Sequence, residues 1–597
     1  MTATGSPASD KPGRNNHAER HGYFFARNSA KKAYYLYYHN PRRDCNSRRD
    51  FLCAGTGAGN APLFLDTTLN EKSNKICLVF YFLLVHDTQI MYTVLRRESS
   101  CEKHKLLAER GTPGALREGE RSVEERKGFQ SNFGFLMAAI GSAVGLGNIW
   151  GFPYKMGKGG GFAFLLLYVL LTAVCGLILM LSELALGRRT GTNSVSAYGA
   201  ASKRFKWVGW LTPITATLIL AFYSALGGYC VKYLVLNVGS LFGTEWGANG
   251  LNGATIFAEL IGNRMESVIY GGVFLLITML IVLGGVSGGI ERFCSVGMPA
   301  LFVMLLIVIA RSCTLPGAVE GLKFMYAPNF EPLKEDFLGV LKTAGGQMFF
   351  SLSLSIGALI TYGSYVDKKQ NLAKNTVIIA SAGAMVGLLA GMAVLPAAFA
   401  LGAPEDAMRG PSLLFVTLQD VFEGMGRIGP IFGILFYGLV VLAAISSSVS
   451  LLEVPVAYFT DRDRARGKKE KRWLYALLTM VVSGILCTVT CADGLGSNGL
   501  WIPFQRFFVG AEKMPTFCES WLSFLDMVSE GLLMPLCGIC TCLMMGWEVK
   551  PEFVRAEVET AGNRFTAYRF YRFCVRYVTP LIMLFILYGQ LKDFFNL

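Results

Sequence analysis

The fold of this chain is decided by the stretch Gly141-Ser-Ala-Val-Gly-Leu-Gly-Asn148, which continues through Ile-Trp-Gly-Phe to Pro153. The stretch lies in an apolar run, yet it holds three glycines in seven residues, and each glycine weakens a helix by about 1 kcal/mol relative to alanine. A second stretch, Ser351-Leu-Ser-Leu-Ser-Ile-Gly357, brings serines whose hydroxyl groups compete with helical hydrogen bonds. We therefore predict two helices that are broken near their middle.

The composition around these stretches is that of a membrane protein. Of the 597 residues, 52% are apolar and 16% are charged, whereas soluble domains are roughly 25% charged. Apolar runs such as 162–181, 268–284 and 575–588 approach or reach the ~20 residues that cross a bilayer as a helix, and they lack the alternation of barrel strands. The sequence predicts an all-α integral membrane protein.

Eleven transmembrane helices are predicted from residue 129 onward. Their approximate bounds are 129–154, 161–187, 207–238, 267–285, 294–314, 341–366, 371–401, 428–460, 473–491, 520–546 and 570–590. Residues 129–314 and 341–546 then form a five-plus-five inverted repeat with broken first and sixth helices, and 570–590 adds an extra helix. Because the loops with more Lys and Arg stay inside, we expect a multi-pass protein of the cell membrane with a cytoplasmic N-terminus and the C-terminus outside.

The first 121 residues have a different character. They carry all five histidines of the chain and show no sustained periodicity, so we predict a disordered tail before a transporter domain at 122–597. A body without histidine cannot hold a histidine-based triad, zinc site or proton relay. We expect no enzymatic activity and no nucleic-acid partner, and the sequence does not indicate an oligomeric state.

Broken helices in a membrane point to binding. Unwound backbone cannot face lipid, because each unsatisfied polar group costs several kcal/mol there, so it has to line a cavity. Free carbonyl groups suit a hard cation, and the N-terminus of a half-helix suits a carboxylate. The alternative for one segment is close helix packing through small residues; two such segments in corresponding halves favour a binding site.

Residues 122–597 resemble the neurotransmitter:sodium symporter family, and in particular its bacterial eleven-span amino-acid transporters. The resemblance rests on the stretch from Gly141 to Pro153, on Gln347-Met-Phe-Phe-Ser-Leu-Ser-Leu-Ser355 and on Ser446-Ser-Ser448, which agree in order and spacing. It implies a sodium-coupled secondary active symporter that imports a small amino acid, with a hydrophobic one favoured, by alternating access. The bilayer and an amino-acid substrate are the partners that follow.

The resemblance also implies two sodium sites. The first would use the carbonyl groups of Gly141, Val144 and Ala443 and the hydroxyl groups of Ser446 and Ser447. The second would use Ala143, Asn148 and Ser351, with the carboxylate of the substrate as a shared ligand. Shared ligation makes the binding of sodium and of substrate mutually dependent, which is the thermodynamic requirement for coupling.

A substrate pocket is implied in the same way. Its expected residues are Ala143, Gly145, Gly147, Ile219, Tyr223, Phe350, Ser353, Ile356, Ser447 and Leu451. The Tyr223 hydroxyl would reach the carboxylate of the substrate. Gly145 stands where the monoamine carriers of the family have an acidic residue, so an amino acid is favoured over an amine.

Gates on both sides of the pocket are a further expectation from the resemblance. Arg126 and Asp461 would form the inner ion pair, with Tyr365 beside them. On the outer side the acid Asp526 remains, whereas Gly151 replaces the arginine of the family. The outer ion pair is therefore either absent or remade with another cation.

Two further departures concern ions. Gly383 stands where the family supplies a polar ligand to the second of the two sodium sites described above, and Gly387 where a chloride-binding serine or a substituting carboxylate would sit. Chloride dependence is therefore not expected, and the site near Asn148 lacks one ligand. We hypothesise that Glu453 supplies counter-charge, and we expect the buried acid Glu183 to brace the broken first helix.

The sequence leaves two alternatives to transport. A sensor or receptor of the same fold would keep the pocket without moving substrate, and a membrane enzyme would need catalytic groups that the body lacks. Uptake driven by an imposed ion gradient distinguishes the three.

Overall fold

The computed structural model describes residues 128–248, 250–400, 402, 412–505 and 514–595. Within these ranges the chain is helical and has no β-strand. The predicted disordered tail, residues 1–121, and Arg126 lie outside the described residues.

The helical elements that correspond to the predicted spans are numbered here in chain order. They are span 1 (Asn132–Ala143 and Gly147–Lys158), span 2 (Phe162–Thr190), span 3 (Lys206–Phe242), span 4 (Arg264–Leu283), span 5 (Val286–Cys313), span 6 (Phe337–Ser351 and Ala358–Gly363), span 7 (Leu372–Ala400), span 8 (Gly426–Ala465), span 9 (Arg472–Asp493), span 10 (Trp521–Glu548) and span 11 (Tyr568–Lys592). Shorter helices connect them at Ser194–Ala201, Gly253–Gly262, Ala318–Tyr326, Glu331–Glu335, Leu418–Gly424 and Glu552–Val558.

Nine of these elements in the described part of the chain are single helices long and apolar enough to cross a bilayer, and span 1 passes the same test as a pair bent by 50°. Span 6 consists of helices of 15 and 6 residues, which are too short to be counted separately by length. The all-helical membrane fold is thus confirmed, and the count of eleven stays a prediction.

Span 3 lies at the centre of the bundle and spans 4 and 9 at its edge. In its most apolar window span 3 is 78% buried, whereas spans 4 and 9 are each 33% buried and turn apolar side chains outward to where lipid would be. The buried face of span 3 packs along span 8. The first half of broken span 1 packs against spans 5, 7 and 8, and that of broken span 6 packs against spans 2 and 11.

Glu183 on span 2 supports the break in span 6, whereas we expected it to support the break in span 1. Its side chain is fully buried, and it accepts a hydrogen bond from the backbone N–H of Ser355 at 2.7 Å. The expectation that it braces span 1 was wrong, because Ser355 belongs to the broken part of span 6. The contact satisfies an N–H group that would otherwise cost roughly 1–3 kcal/mol when buried.

Candidate functional site

Span 1 breaks where the glycines cluster. Its first helix ends at Ala143, and Val144 takes an extended conformation with φ −106° and ψ 97°. The chain resumes a helical course at Leu146 and passes through a π-helical turn, Gly147–Gly151. The break leaves carbonyl groups of the first helix and N–H groups of the second directed toward the middle of the bundle.

Span 6 breaks across its serines. Ser353, Ser355 and Gly357 have φ values of 50°, 66° and 81°, and positive φ is strained for a residue other than glycine. Ser353 donates its hydroxyl proton to the carbonyl oxygen of Ser142 at 2.6 Å, so the two breaks face each other. The strained backbone of span 6 is stabilised by this contact with span 1, between residues that are 211 positions apart in the chain.

The five oxygens predicted for the first sodium site come together. The Ser446 hydroxyl lies 2.9 Å from the carbonyl oxygens of both Gly141 and Ala443 and 3.4 Å from that of Val144. The Ser447 hydroxyl lies 3.1 Å from the Gly141 carbonyl oxygen. A hard cation prefers such neutral oxygens, and in the described residues no cluster of three His, Cys, Asp or Glu side chains competes as a metal site.

The second predicted sodium site is less complete. Asn148 donates its side-chain N–H to the carbonyl oxygen of Gly383 at 2.8 Å, while its Oδ1 is buried without a hydrogen-bond partner. The Ser351 hydroxyl accepts from Gln347 at 2.6 Å. A Cβ built on Gly383 would lie 3.6 Å from that of Ala143 and 3.5 Å from the Ser351 carbonyl oxygen. Gly383 thus lies beside Ala143, Asn148 and Ser351, and it contacts Asn148 through its carbonyl oxygen.

A cavity lies between the two breaks, and the empty space within it and at its opening to solvent amounts to about 350 Å³. Its lining residues are Ser142, Gly145, Gly147, Asn148, Ile219, Tyr223, Phe350, Ser353, Ile356, Ser447, Leu451 and Met534. Of the predicted substrate residues, Ala143 is the one that does not line it.

Tyr223 spans the cavity from span 3 to the break in span 1. Its hydroxyl oxygen accepts the backbone N–H of Leu146 at 2.8 Å, and its ring lies 6.4 Å from that of Phe350. Because the second half of span 1 begins here, the hydroxyl stands at a helix N-terminus, where negative charge is favoured. The arrangement suits a carboxylate.

Two glycines keep the cavity open. A Cβ on Gly145 would come within 2.4 Å of both the Tyr223 hydroxyl and the Ser447 hydroxyl, and a Cβ on Gly147 would lie 2.0 Å from the Phe350 ring. Atoms cannot approach so closely, so any side chain at these positions displaces a residue that lines the cavity. Glycine is required here for close approach.

Aromatic rings pack together at the end of the site that the resemblance assigns to the inner gate. The Phe129 ring lies 5.5 Å from that of Phe135, 5.7 Å from that of Tyr362 and 6.1 Å from that of Tyr365. The Tyr365 hydroxyl donates to Glu453 at 2.9 Å.

Two acidic residues of span 8 had expected roles, Glu453 as a counter-charge and Asp461 in the inner ion pair. The Glu453 carboxylate forms an ion pair with Arg472, so it is not the counter-charge that we hypothesised for a sodium site. Asp461 accepts from the backbone N–H of Asn193 at 2.8 Å and lies 3.4 Å from Arg464; its predicted partner Arg126 is outside the described residues.

The side that the resemblance assigns to the outer gate carries an ion pair one helical turn beyond the expected positions. Lys155, four residues after Gly151, pairs with Glu530, four residues after Asp526. The ammonium group also lies 5.9 Å from the centre of the Phe350 ring, within cation–π range. Gly151 itself has only the Gln347 Oε1 within 4 Å of where a Cβ would stand.

Sequence reasoning missed Lys155, Glu530, Met534 and the carbonyl group of Ser142. The first two had a signal, because each stands at i+4 from a position that the resemblance singled out, on the same helix face. Met534 and the Ser142 carbonyl had none, since their place at the cavity follows from how spans 10 and 6 pack.

Comparison with known proteins agrees with this geometry. The model of the sodium:neurotransmitter symporter family matches residues 126–248 and 268–597. The chain is 35% identical over 470 residues to an uncharacterized sodium-dependent transporter of Bacillus subtilis, covering 77% of this chain and 97% of that protein. It is 31% identical to an uncharacterized sodium-dependent transporter of Haemophilus influenzae, covering 78% and 99%.

A more distant relative and a solved structure also match this chain. The sodium- and chloride-dependent GABA transporter 2 of Bos taurus is 25% identical over 68% of this chain and 75% of its own. The crystal structure of MhsT in complex with L-phenylalanine matches with a TM-score of 0.68 and 34% identity over 78% of this chain and all of that one. These relatives are transporters, not enzymes. The chain belongs to the sodium:neurotransmitter symporter family and has its membrane-transporter fold.

Proposed function

We propose that this protein is a sodium-coupled symporter that imports a small hydrophobic amino acid by alternating access. The observation that carries the proposal is that Ser447 lies both in the oxygen cluster and at the cavity. Its hydroxyl lies 3.1 Å from the Gly141 carbonyl oxygen in the oxygen cluster, and the residue also lines the cavity. Occupation of either site orders the other, which couples at least one sodium ion to each amino acid.

The substrate carboxylate would bind at the N-terminus of the second half of span 1, beside the Tyr223 hydroxyl. The apolar side chain of the substrate would lie against Ile219, Ile356, Leu451 and Met534, which line the same cavity. An acidic residue at Gly145 would collide with Tyr223 and Ser447, so the site has no place for the carboxylate that a positively charged amine would need. L-Phenylalanine in the related MhsT structure is consistent with a hydrophobic amino acid.

Alternating access requires a closure on each side of the cavity. We assign the inner closure to the packed rings of Phe129, Phe135, Tyr362 and Tyr365, together with the charges of Asp461 and Arg126. We assign the outer closure to Lys155 and Glu530, with Asp526 one turn away on the same helix as Glu530.

The protein would lie in the plasma membrane, with its N-terminus in the cytoplasm and its C-terminus outside, since the basic loops at 203–206 and 462–472 lie at one end of the spans.

The test is uptake into proteoliposomes across imposed sodium, proton and chloride gradients, with a panel of labelled amino acids. We expect accumulation of hydrophobic amino acids that is driven by an inward sodium gradient and lost when sodium is equal on both sides. Binding without accumulation would favour the sensor, and accumulation that ignores sodium would refute the coupling.

Replacement of chloride by gluconate on both sides should leave uptake unchanged. The physical reason is that a Cβ on Gly387 would lie 3.0 Å from the Phe152 ring, so this position presents neither a hydroxyl ligand nor space for one. The measurement is the rate of sodium-driven uptake in chloride and in gluconate. A fall to background in gluconate would contradict the prediction.

Removal of either partner of the outer ion pair should slow uptake. Lys155 and Glu530 have side-chain exposures of 21% and 10%, and leaving one such charge unpaired costs up to about 3–5 kcal/mol when it is buried. We expect Lys155→Gln and Glu530→Gln each to lower uptake about tenfold or more. The exchange Lys155→Glu with Glu530→Lys should restore part of it.

A matched control for this pair is Lys232, which pairs with Glu266 at 2.5 Å with exposures of 21% and 29% and lies away from the cavity. Lys232→Gln should change uptake less than twofold. Equal losses in the Lys155 and Lys232 variants would mean that the outer pair serves stability and not gating.

A further inference from the structure

A dense basic surface lies at one end of spans 3, 8 and 9. Its exposed members are Lys203, Arg204, Lys206, Arg462, Arg466, Lys468, Lys469 and Lys471. In the described part of the chain none of these eight side chains has a carboxylate within 4 Å. This surface, called here the basic rim, therefore presents eight positive charges to its surroundings.

The two loops that make up the basic rim are held together. Asn193, in the segment before span 3, donates its backbone N–H to Asp461 at 2.8 Å and its side-chain N–H at 3.0 Å. The rings of Trp210 on span 3 and Tyr458 on span 8 lie 4.9 Å apart. The charges of the two loops thus act on one surface rather than on two separate ones.

The acidic residues in this region are already engaged. Asp461 binds Asn193, Asp463 accepts from the Tyr475 hydroxyl at 2.5 Å, and Glu470 pairs with Arg464. Glu548 accepts from the Ser202 hydroxyl. These contacts hold the four carboxylates within the protein, and the basic side chains of the region outnumber them.

Three exposed tryptophans lie next to the basic rim. Trp207, Trp210 and Trp473 are 48%, 44% and 61% exposed, and each lies within a few residues of the basic side chains along the chain. Exposed tryptophan is enriched where the hydrocarbon of a bilayer meets the headgroups. Lysine and arginine just beyond it reach the level of the lipid phosphates.

We propose that the basic rim binds the headgroups of anionic phospholipids in the leaflet that it faces. A cluster of four to eight Lys and Arg next to a transmembrane helix attracts anionic lipid, each residue adding to the binding, and the attraction falls off within a Debye length. The exposed tryptophans favour a lipid over a soluble polyanion, because they place the charges against a bilayer surface.

The experiment measures thermal unfolding of the purified full-length chain in a nonionic detergent, with added phosphatidylglycerol or phosphatidylcholine. A ligand that binds only the folded state raises the unfolding midpoint. We expect phosphatidylglycerol to raise the midpoint, phosphatidylcholine to leave it unchanged, and 0.5 M salt to reduce the shift by at least about half.

Two variants locate the effect. In one, Arg466, Lys468, Lys469 and Lys471 are changed to glutamine; in the other, Lys203, Arg204 and Lys206 are changed. Each should lose most of the phosphatidylglycerol shift, and the midpoint in phosphatidylcholine reports whether each variant folds. If one loop variant fails to fold, the other still provides the test.

The matched control is a variant in which Arg264, Lys323, Lys334 and Arg427 become glutamine, since these residues are exposed and lie at the other end of the spans. It should keep the full shift. The proposal is overturned if the loop variants retain the shift, if phosphatidylcholine gives an equal one, or if soluble glycerol phosphate reproduces it, since this last result would indicate a phosphate site without lipid.

Discussion

Replacement of Gly145 by alanine is expected to abolish sodium-driven uptake at ordinary substrate concentrations. The new Cβ would fall 2.4 Å from both the Tyr223 and the Ser447 hydroxyl oxygens, so both groups have to move. Tyr223 is the proposed carboxylate contact and Ser447 a proposed sodium ligand, and a forced shift in a packed interior costs about 1–3 kcal/mol. With tenfold per 1.4 kcal/mol, we expect the apparent affinity to fall about 10- to 100-fold.

Gly272→Ala is the control for that variant. Gly272 lies on span 4, and nothing stands within 4 Å of where its Cβ would be, so the added methyl group should leave uptake unchanged. Substrate-dependent uptake and binding by both variants in the same proteoliposomes provide the measurement. A Gly145→Ala protein with unaltered affinity would show that Tyr223 and Ser447 do not contact the substrate.

Replacement of Ser446 by alanine should produce the second large effect, on sodium rather than on substrate. The Ser446 hydroxyl lies within 3.4 Å of three carbonyl oxygens of the cluster, and it would be one of five ligands. Loss of one contact to a charged group costs about 1.5–3 kcal/mol. The sodium concentration for half-maximal uptake should therefore rise at least about tenfold.

The neighbouring serine provides a control in the same helix. Ser448 is equally buried, but its hydroxyl lies 2.7 Å from that of Thr278 and 3.0 Å from the Ile445 carbonyl oxygen, on the face away from span 1. Ser448→Ala should leave the sodium dependence unchanged. If the sodium concentration for half-maximal uptake rose equally in both variants, or did not rise in Ser446→Ala, the oxygen cluster would not be the sodium site.

Much of the fold and the site follows from local sequence. The glycines from Gly141 to Gly147 and the serines from Ser351 to Ser355 weaken a helix wherever they stand, and apolar runs of about 20 residues require a bilayer. The breaks in spans 1 and 6 were therefore predictable, as was the convergence of the residues that match the family motifs. The breaks depend on neighbours in the chain, whereas the convergence was expected only from the resemblance to the family.

Other features depended on which elements meet. Lys155 and Glu530 are 375 residues apart, and Glu183 supports span 6 instead of span 1 through a contact with Ser355 172 residues away. Glu453 pairs with Arg472, so its charge does not serve the sodium cluster. Burial makes an unpartnered charge or N–H group costly, so these partners are decided by three-dimensional proximity. The sequence by itself determined where helices break and what chemistry the breaks expose; the tertiary structure decided which distant groups satisfy one another, because pairing energy depends on distance in space and not on position along the chain.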